Sequence, residues 1–428
     1  MLVLSTVAQY YRGLYHFASG GTIDACPIDD AFARVHLSTL VASFSLWRGK
    51  HYRAPSYQAD LQANLSNVAI PGTGVPLSIF MKNRVLAAFL VAVVIPLVCI
   101  VCAVVESGAS RAKFDEAYRR HLLAPRHWFS LWQINCRLVA LHSAQVASNP
   151  ELYAQYAMED KWNFTKAARD HGLPVGRVLE ADLVIRHKAV EGGMGIHAFR
   201  NVLNGGDFII NERLRNADSI AHLLPASAPL STLRVMTASR HWLARGEAAP
   251  AGAEGAAAGG GRASSSRSST ASSQSADDTS PLRNVEVLSC VFRAGLAGAK
   301  TDHRSVLFDV DVATGVIAKA TTNAHWYMRG VRKALRCPWT STHDMVDHPD
   351  TGVRITGETI SDMTEIRRLV RQAHATLMPD VPVVGWDVAI TNVGLVLLEA
   401  NLSANFFRGS FDEAHYLRFV TDFVRKLE

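Results

Sequence analysis

The sequence predicts an α+β chain with one membrane-crossing helix, and three stretches carry that prediction. Val383 to Phe406 pairs two apolar, β-branched-rich runs about a short turn, the pattern of a β-hairpin. Ile360 to Met378 sets Ile366, Leu369, Val370, Ala373 and Leu377 at helical spacing on one apolar side. Val85 to Val105 is a charge-free apolar run of 21 residues, close to the ~20 that cross a bilayer core.

The hairpin has two unlike faces. Its turn falls at Thr391-Asn392-Val393-Gly394, where Asn and Gly tolerate positive φ. Centred on Val393, it sets Asp387 opposite Glu399, with Asn401 one step of two further along the same face. The other face carries Trp386, Val388, Ile390, Val396, Leu398 and Ala400 and suits burial. Like charges directly across a sheet repel, so packing alone does not select this carboxylate pair. A hard divalent cation such as Mg²⁺, which takes oxygen ligands, resolves the conflict. The rival reading is a surface hairpin with both carboxylates solvated.

G-W-D-V-A-I, followed after the turn by L-L-E-A-N, resembles the C-terminal metal-binding signature of the ATP-grasp superfamily. It is closest to the sugar-transfer-associated branch, which is related to the glutamate ligases. The resemblance implies two α+β subdomains gripping ATP, with Asp387, Glu399 and Asn401 holding Mg²⁺ against the phosphates. Further motifs follow in the superfamily's order from about Lys161 to Phe407.

Asp160-Lys161, then an amphipathic helix closing at His171-Gly172, then G-L-P-V, is similar to the opening motif, whose lysine touches the α-phosphate. The strand Leu183-Val184-Ile185 leads to Lys188 and a glycine cluster, and glycines let a backbone fold tightly over phosphates. The resemblance makes Lys188 the second nucleotide lysine and Gly192, Gly193 and Gly195 the lid. The stretch between Pro174 and Lys188 is shorter than in relatives, so either the central subdomain is trimmed or a piece of the gene is missing. Asp207 to Leu214 reads as a strand entering a linker. In the superfamily such a hinge reads adenine, a part that falls to Asn211 or Glu212, and Asp218 either reaches the ribose or is an exposed acid.

Leu230 to Ser239 reads as a strand with Arg234 inside it, and Arg293 sits on the next strand. An arginine among apolar strand residues needs an anionic partner. The resemblance aims Arg234 and Arg293 at the γ-phosphoryl group; the competing account is a structural salt bridge to a carboxylate. Asp302-His303 and the turn Asp311 to Gly315 resemble the family's acidic segment, without its usual Asp-Asn and paired glycines. Between the strands, residues 246–280 are almost all Ala, Gly and Ser with few apolar groups, a composition that predicts disorder. Asp412 to Leu427 reads as a closing helix.

Composition sets outer bounds. The 428 residues leave room for two or three structural units, and the net charge of +6 is spread without a basic stripe among aromatics, so no nucleic-acid partner is expected. Of six cysteines only Cys99 and Cys102 are close, inside the apolar run, which excludes a disulfide framework or a zinc motif. The expected organisation is an N-terminal region 1–84 of unassigned structure, a transmembrane helix 85–105, a juxtamembrane helical region 106–150 and an ATP-grasp domain 151–428. Met81-Lys82-Asn83-Arg84 resembles the basic start of a signal anchor, so translation is expected to begin there if the first eighty residues are an over-extension. Arg111, Lys113, Arg119, Arg120 and Arg126 after the span lean toward a cytoplasmic C-terminal domain, although lumenal signal-anchored proteins share this layout.

The resemblance implies ATP- and Mg²⁺-dependent ligation of a small-molecule carboxylate to an amine through an acyl phosphate. The rivals are a kinase acting on a hydroxyl with the same ATP site, and a membrane protein that binds nucleotide without turnover.

Overall fold

The computed structural model describes residues 2–66, 68, 75–108, 110–186, 196–245, 281–301, 305–322, 345–404 and 411–428. Its centre is a six-stranded sheet in the order β6-β5-β4-β3-β7-β8, with every neighbouring pair antiparallel. The strands are β3 (Thr232–Ser239), β4 (Val285–Gly295), β5 (Ser305–Val310), β6 (Ile317–Thr322), β7 (Val383–Thr391) and β8 (Gly394–Asn401). A separate two-stranded sheet joins β1 (Leu183–Arg186) to β2 (Ile196–Phe199). The mixed architecture agrees with the expected α+β class.

One face of the large sheet is apolar and roofed by helices. Helix α8 (Met363–Leu377) lays Ile366, Leu369, Val370, Ala373 and Leu377 against it, all buried, as the periodicity predicts. Helix α7 (Lys161–Asp170) begins on an Asp160 cap that accepts from the Trp162 and Asn163 amides, and it ends at Gly172, whose φ is +68°. Its Phe164 packs against Trp386 of β7 with ring centroids 6.3 Å apart. Beneath α8 the Trp386 indole donates to the Thr237 hydroxyl at 2.8 Å, and the same oxygen lies 2.7 Å from His374 Nδ1. A fully buried indole thus keeps its polar handle satisfied.

Helix α6 (Trp128–Gln145) and the closing helix α9 (Glu413–Leu427), capped by Asp412, pack against each other and join the same core. The region 106–150, expected as a juxtamembrane helical region, holds the end of the preceding helix and two more, α5 (Arg111–Leu123) and α6, parted at Pro125. Helix α6 is core, with Ile134, Leu138 and Val139 fully buried. The first residues, from which sequence gave no chemistry, form α1 (Leu2–Ala18), α2 (Ala31–Ser45) and α3 (Tyr57–Leu65). They are tied to the chain's far end: Arg425 pairs with Asp24, and Glu428 accepts from the Ile23 amide at 2.7 Å.

Helix α4 (Arg84–Ser107) is long and apolar enough to cross a membrane by length and composition. It is not a regular α-helix, because Leu90–Val94 is a π-helical turn. The physical cause is Pro96, which has no N–H to offer the Ala92 carbonyl four residues back. That carbonyl accepts instead from the Tyr11 hydroxyl at 2.5 Å, and the Val91 carbonyl accepts from Tyr10 at 2.9 Å. One side of α4 packs on α1 and α5 through Cys99 and Ala103; Val85, Phe89, Val93, Leu97, Val101 and Val104 are exposed.

Asp207 to Leu214 is not the strand expected of it. It is held by isolated bridges, Asn201 to Phe208 and Val178 to Asn211, beside which the Leu179 amide donates to the Ile210 carbonyl and the Glu212 amide to the Arg177 carbonyl.

Candidate functional site

The hairpin β7–β8 turns at Asn392-Val393, with Thr391 paired to Gly394 and Gly394 at φ +105°. Near the turn Val388 pairs with Leu397, but beyond a bulge Asp387 pairs with Glu399 and Gly385 with Asn401. The carboxylates therefore face each other as the sequence predicts, with the turn half a residue from its expected centre. The bulge absorbs the difference. Its cost is a correction to the apolar face: Leu397, 1% exposed, takes the core place expected for Leu398, which is only half-buried.

Nonlocal pairing completes one rung across the sheet. Asp309 of β5 lies opposite Val291 of β4, Val291 opposite Arg234 of β3, Arg234 opposite Asp387, and Asp387 opposite Glu399. Arg234 grips Asp387 with two hydrogen bonds, Nε to Oδ1 at 2.5 Å and Nη2 to Oδ2 at 3.1 Å. Arg293, two residues along β4, adds Nη1 to Oδ2 at 3.2 Å and reaches the Thr232 hydroxyl at 3.1 Å. Burial pushes the Asp387 carboxyl up, but the two guanidiniums outweigh it and hold it below the usual carboxylate value.

Glu399 is answered from helix α7. Lys161, the first residue of α7, places Nζ 2.8 Å from Glu399 Oε2, and Asn401 Nδ2 donates to Oε1 at 3.2 Å. The hydrogen bond to Glu399 raises the Lys161 pKa. Three cations thus meet two carboxylates, and the repulsion between Asp387 and Glu399 is relieved by Arg and Lys within the chain itself. Both sequence-level accounts of Arg234 meet here, since its anionic partner is a carboxylate that the resemblance assigns to the metal.

The oxygen atoms present suit a divalent metal. No three His, Cys, Asp or Glu side chains gather among the described residues, so the donor set is two carboxylates and an amide, hard oxygens of the kind Mg²⁺ accepts. A carboxylate has about four lone-pair sites. Asp387 spends three on Arg234 and Arg293, while Glu399 and the Asn401 amide oxygen keep more capacity free.

The remaining expected residues fall as follows. Asn211 and Glu212 are exposed and lie beside Arg177, whose carbonyl accepts from Asn211 Nδ2 at 3.4 Å and from the Glu212 amide at 3.1 Å. Asp218 opens a four-residue helical turn and is exposed at the turn end of the hairpin, where the Ala217 amide donates to Ile390. Lys188, Gly192, Gly193 and Gly195 lie outside the described residues, as do Asp302-His303 and 246–280. Asp311 makes the expected turn by accepting from the Ala313 and Thr314 amides, with Gly315 at φ +78°.

Sequence reasoning missed the clamp behind Asn401. The next three residues cross back over the sheet. Asn135 donates to the Ala404 carbonyl at 3.1 Å, Trp132 to Ser403 at 2.8 Å, and Glu159 accepts from the Leu402 amide at 2.8 Å. Arg53 joins this clamp to the N-terminal helices, bonding Asp60 at 2.5 Å, Glu159 at 2.9 Å and the Ser403 hydroxyl at 2.6 Å. Only the spacing-free presence of Arg53 among uninformative residues stood in the sequence, and no local signal singled it out.

A comparison with known families bears on what this arrangement of charges belongs to. Residues 278–407, under a third of the chain, match the sugar-transfer associated ATP-grasp family, which supports membership of the ATP-grasp superfamily. That match implies nucleotide binding, and with it typically a divalent metal. No curated protein and no solved structure matches the chain.

Proposed function

We propose that this chain is a membrane-associated, ATP- and Mg²⁺-dependent carboxylate–amine ligase. The observation that carries the reading is the rung Arg234–Asp387–Glu399, closed by Lys161 and Arg293, with more positive than negative charge where a triphosphate would lie. Glu399 and Asn401 would hold Mg²⁺, with one remaining lone pair of Asp387; the metal when bound neutralises charge on the β- and γ-phosphates. Lys161 is the α-phosphate contact, Asn211 or Glu212 the adenine contact, and Asp218 the ribose contact. For Lys188, Gly192, Gly193 and Gly195 the resemblance alone supports a part in covering the phosphates.

The chemistry is positioning and electrostatics. A substrate carboxylate oxygen attacks the γ-phosphorus, and the bond from that phosphorus to the β–γ bridging oxygen breaks to release ADP. Arg293 and Arg234 stabilise the charge that develops. An amine then attacks the acyl carbon, phosphate leaves, and the nitrogen gives up its extra proton to solvent. The exposed apolar face of α4 supports attachment to a bilayer, with the catalytic domain on the cytoplasmic side.

One observation favours a second reading, a nucleotide-binding protein without turnover: Asp387 and Glu399 already have counter-charges from this chain. Calorimetry of MgATP binding to the full chain separates the two when combined with product analysis. Mg²⁺-dependent binding lost in Glu399→Gln, with ADP and phosphate released when a carboxylate and an amine are both present, is the expected result. Binding without release for any carboxylate, amine or hydroxyl acceptor would leave the second reading standing, and transfer to a hydroxyl alone would make the protein a kinase. No binding at all by folded wild-type protein would sink both.

A further inference from the structure

Three helices contribute buried polar atoms to the walls of one cavity. His36 of α2, Tyr57 of α3 and Arg137 of α6 all line it; the Tyr57 hydroxyl lies between Ser43 and the Arg137 guanidinium, while His36 Nδ1 and Arg137 Nη1 make no hydrogen bond of good geometry. A buried donor left without a partner costs ~1–3 kcal/mol, and a buried charge more. Arg137 carries that cost without a carboxylate among the described residues. The groups acting on its charge are the hydroxyls of Tyr57 and Tyr10 and the Cys136 thiol. Asp60, the nearest buried acid on α3, is committed to Arg53 and Asn64.

Ser43, His121, His127, Ser130 and Gln133 add polar groups to the lining, and the remaining wall is mostly apolar. Leu40, Leu61, Leu90, Val94 and Phe129 are among its walls, and its volume is about 160 Å³. That is close to the ~150 Å³ of a dry cavity able to hold benzene, so it takes a polar head or some six carbons, not a whole lipid. Helix α4 forms one wall with Leu90, Val91, Val94, Ile95 and Val98, while its outer side carries the exposed apolar residues. A single helix therefore separates a buried cation from the surface read as facing lipid.

We propose that this cavity binds a single-chain amphiphile with an anionic head, taken from the bilayer, the head on Arg137, His36 and Tyr57 and the chain leaving along α4. Charge complementarity selects the head, and the apolar walls select the first methylenes. The membrane reading of α4 enters only as the source of the ligand; nucleotide chemistry does not enter at all. None of Lys161, Arg234, Arg293, Asp387, Glu399 and Asn401 lines this cavity, so it stands or falls separately from the ligase reading.

The test uses the full chain in non-ionic detergent, titrated with dodecanoate, dodecyl phosphate and dodecanol by calorimetry and thermal shift. Wild type should bind one or both anions at least tenfold more tightly than dodecanol; which anion binds names the head group. Arg137→Met should lose that preference while melting no lower than wild type, because it removes an uncompensated buried charge. Arg137→Lys should keep the preference, and Leu40→Trp, which fills the cavity, should abolish binding of all three. Glu399→Gln should bind the anions as wild type does. Equal binding of dodecanol, undiminished anion binding by Arg137→Met, or no binding by folded wild type would each overturn the proposal.

Discussion

Gly385 sits in the middle of β7 because another part of the chain passes over it, and replacing it should reveal how tightly. A Cβ added there would lie 2.2 Å from the Ala404 Cβ, 3.1 Å from Met236 Sδ and 3.3 Å from Arg234 Cδ. Met236 is a flexible side chain and can yield. Ala404 is not, since its methyl is fixed to a backbone clamped by Asn135, Trp132 and Glu159. Overpacking a well-filled core costs ~1–3 kcal/mol, and two anchored methyls at this separation put Gly385→Ala at the upper end, ~3 kcal/mol. For a cooperative unit of this size that is on the order of a 5–10 °C fall in Tm. Ala404→Gly alone should cost ~1 kcal/mol, for one buried methyl and a freer backbone. The double variant should then sit close to Ala404→Gly, a coupling of ~3 kcal/mol by urea denaturation. A Gly385→Ala protein within ~0.5 kcal/mol of wild type, or strictly additive variants, would refute this account of the crossing.

Two further outcomes follow from the same core. Asp387→Asn leaves two buried guanidiniums short of their counter-charge and should cost ~3–5 kcal/mol, measured by urea denaturation; a loss below ~1 kcal/mol would mean that Arg234 and Arg293 find other acceptors at no cost. Burial lowers the His374 pKa to about 4, outweighing the hydrogen bond that its Nε2 donates to the Val381 carbonyl at 2.9 Å, which acts the other way. In the unfolded chain the same ring takes a proton near pH ~6.5, so its contribution is whole above that value. It is lost as pH falls from ~6.5 toward about 4, at up to ~1.4 kcal/mol per unit. His374→Gln should flatten the pH dependence of stability in that window by about one proton, and an unchanged slope would contradict the burial argument.

What could be read from the chain alone was whatever depends on neighbours in sequence. The face-to-face placement of Asp387 and Glu399 follows from a two-residue period and an Asn-x-Gly turn. The burial side of α8 follows from helical spacing, and the boundaries of α7 from Asp160 and Gly172. The bulge that moves Leu397 into the core was not legible, because a register shift is chosen by what packs on both faces. Asp207 to Leu214 misled for a related reason: its residues favour a strand, but the packed chain gives it only isolated bridges to 178 and 201.

The sequence by itself determined that the hairpin carries two acids and an amide on one side, that an arginine lies buried in a neighbouring strand, and that one helix is long and apolar. Only the tertiary structure decided that Arg234 stands opposite Asp387 and Lys161 beside Glu399, because strand order sets partners more than 150 residues apart. It alone drew the N-terminal helices into the site through Arg53, and walled Arg137 into a cavity beside the apolar helix. Local propensity is a property of a segment, whereas the partner of a buried charge is a property of the whole packed chain.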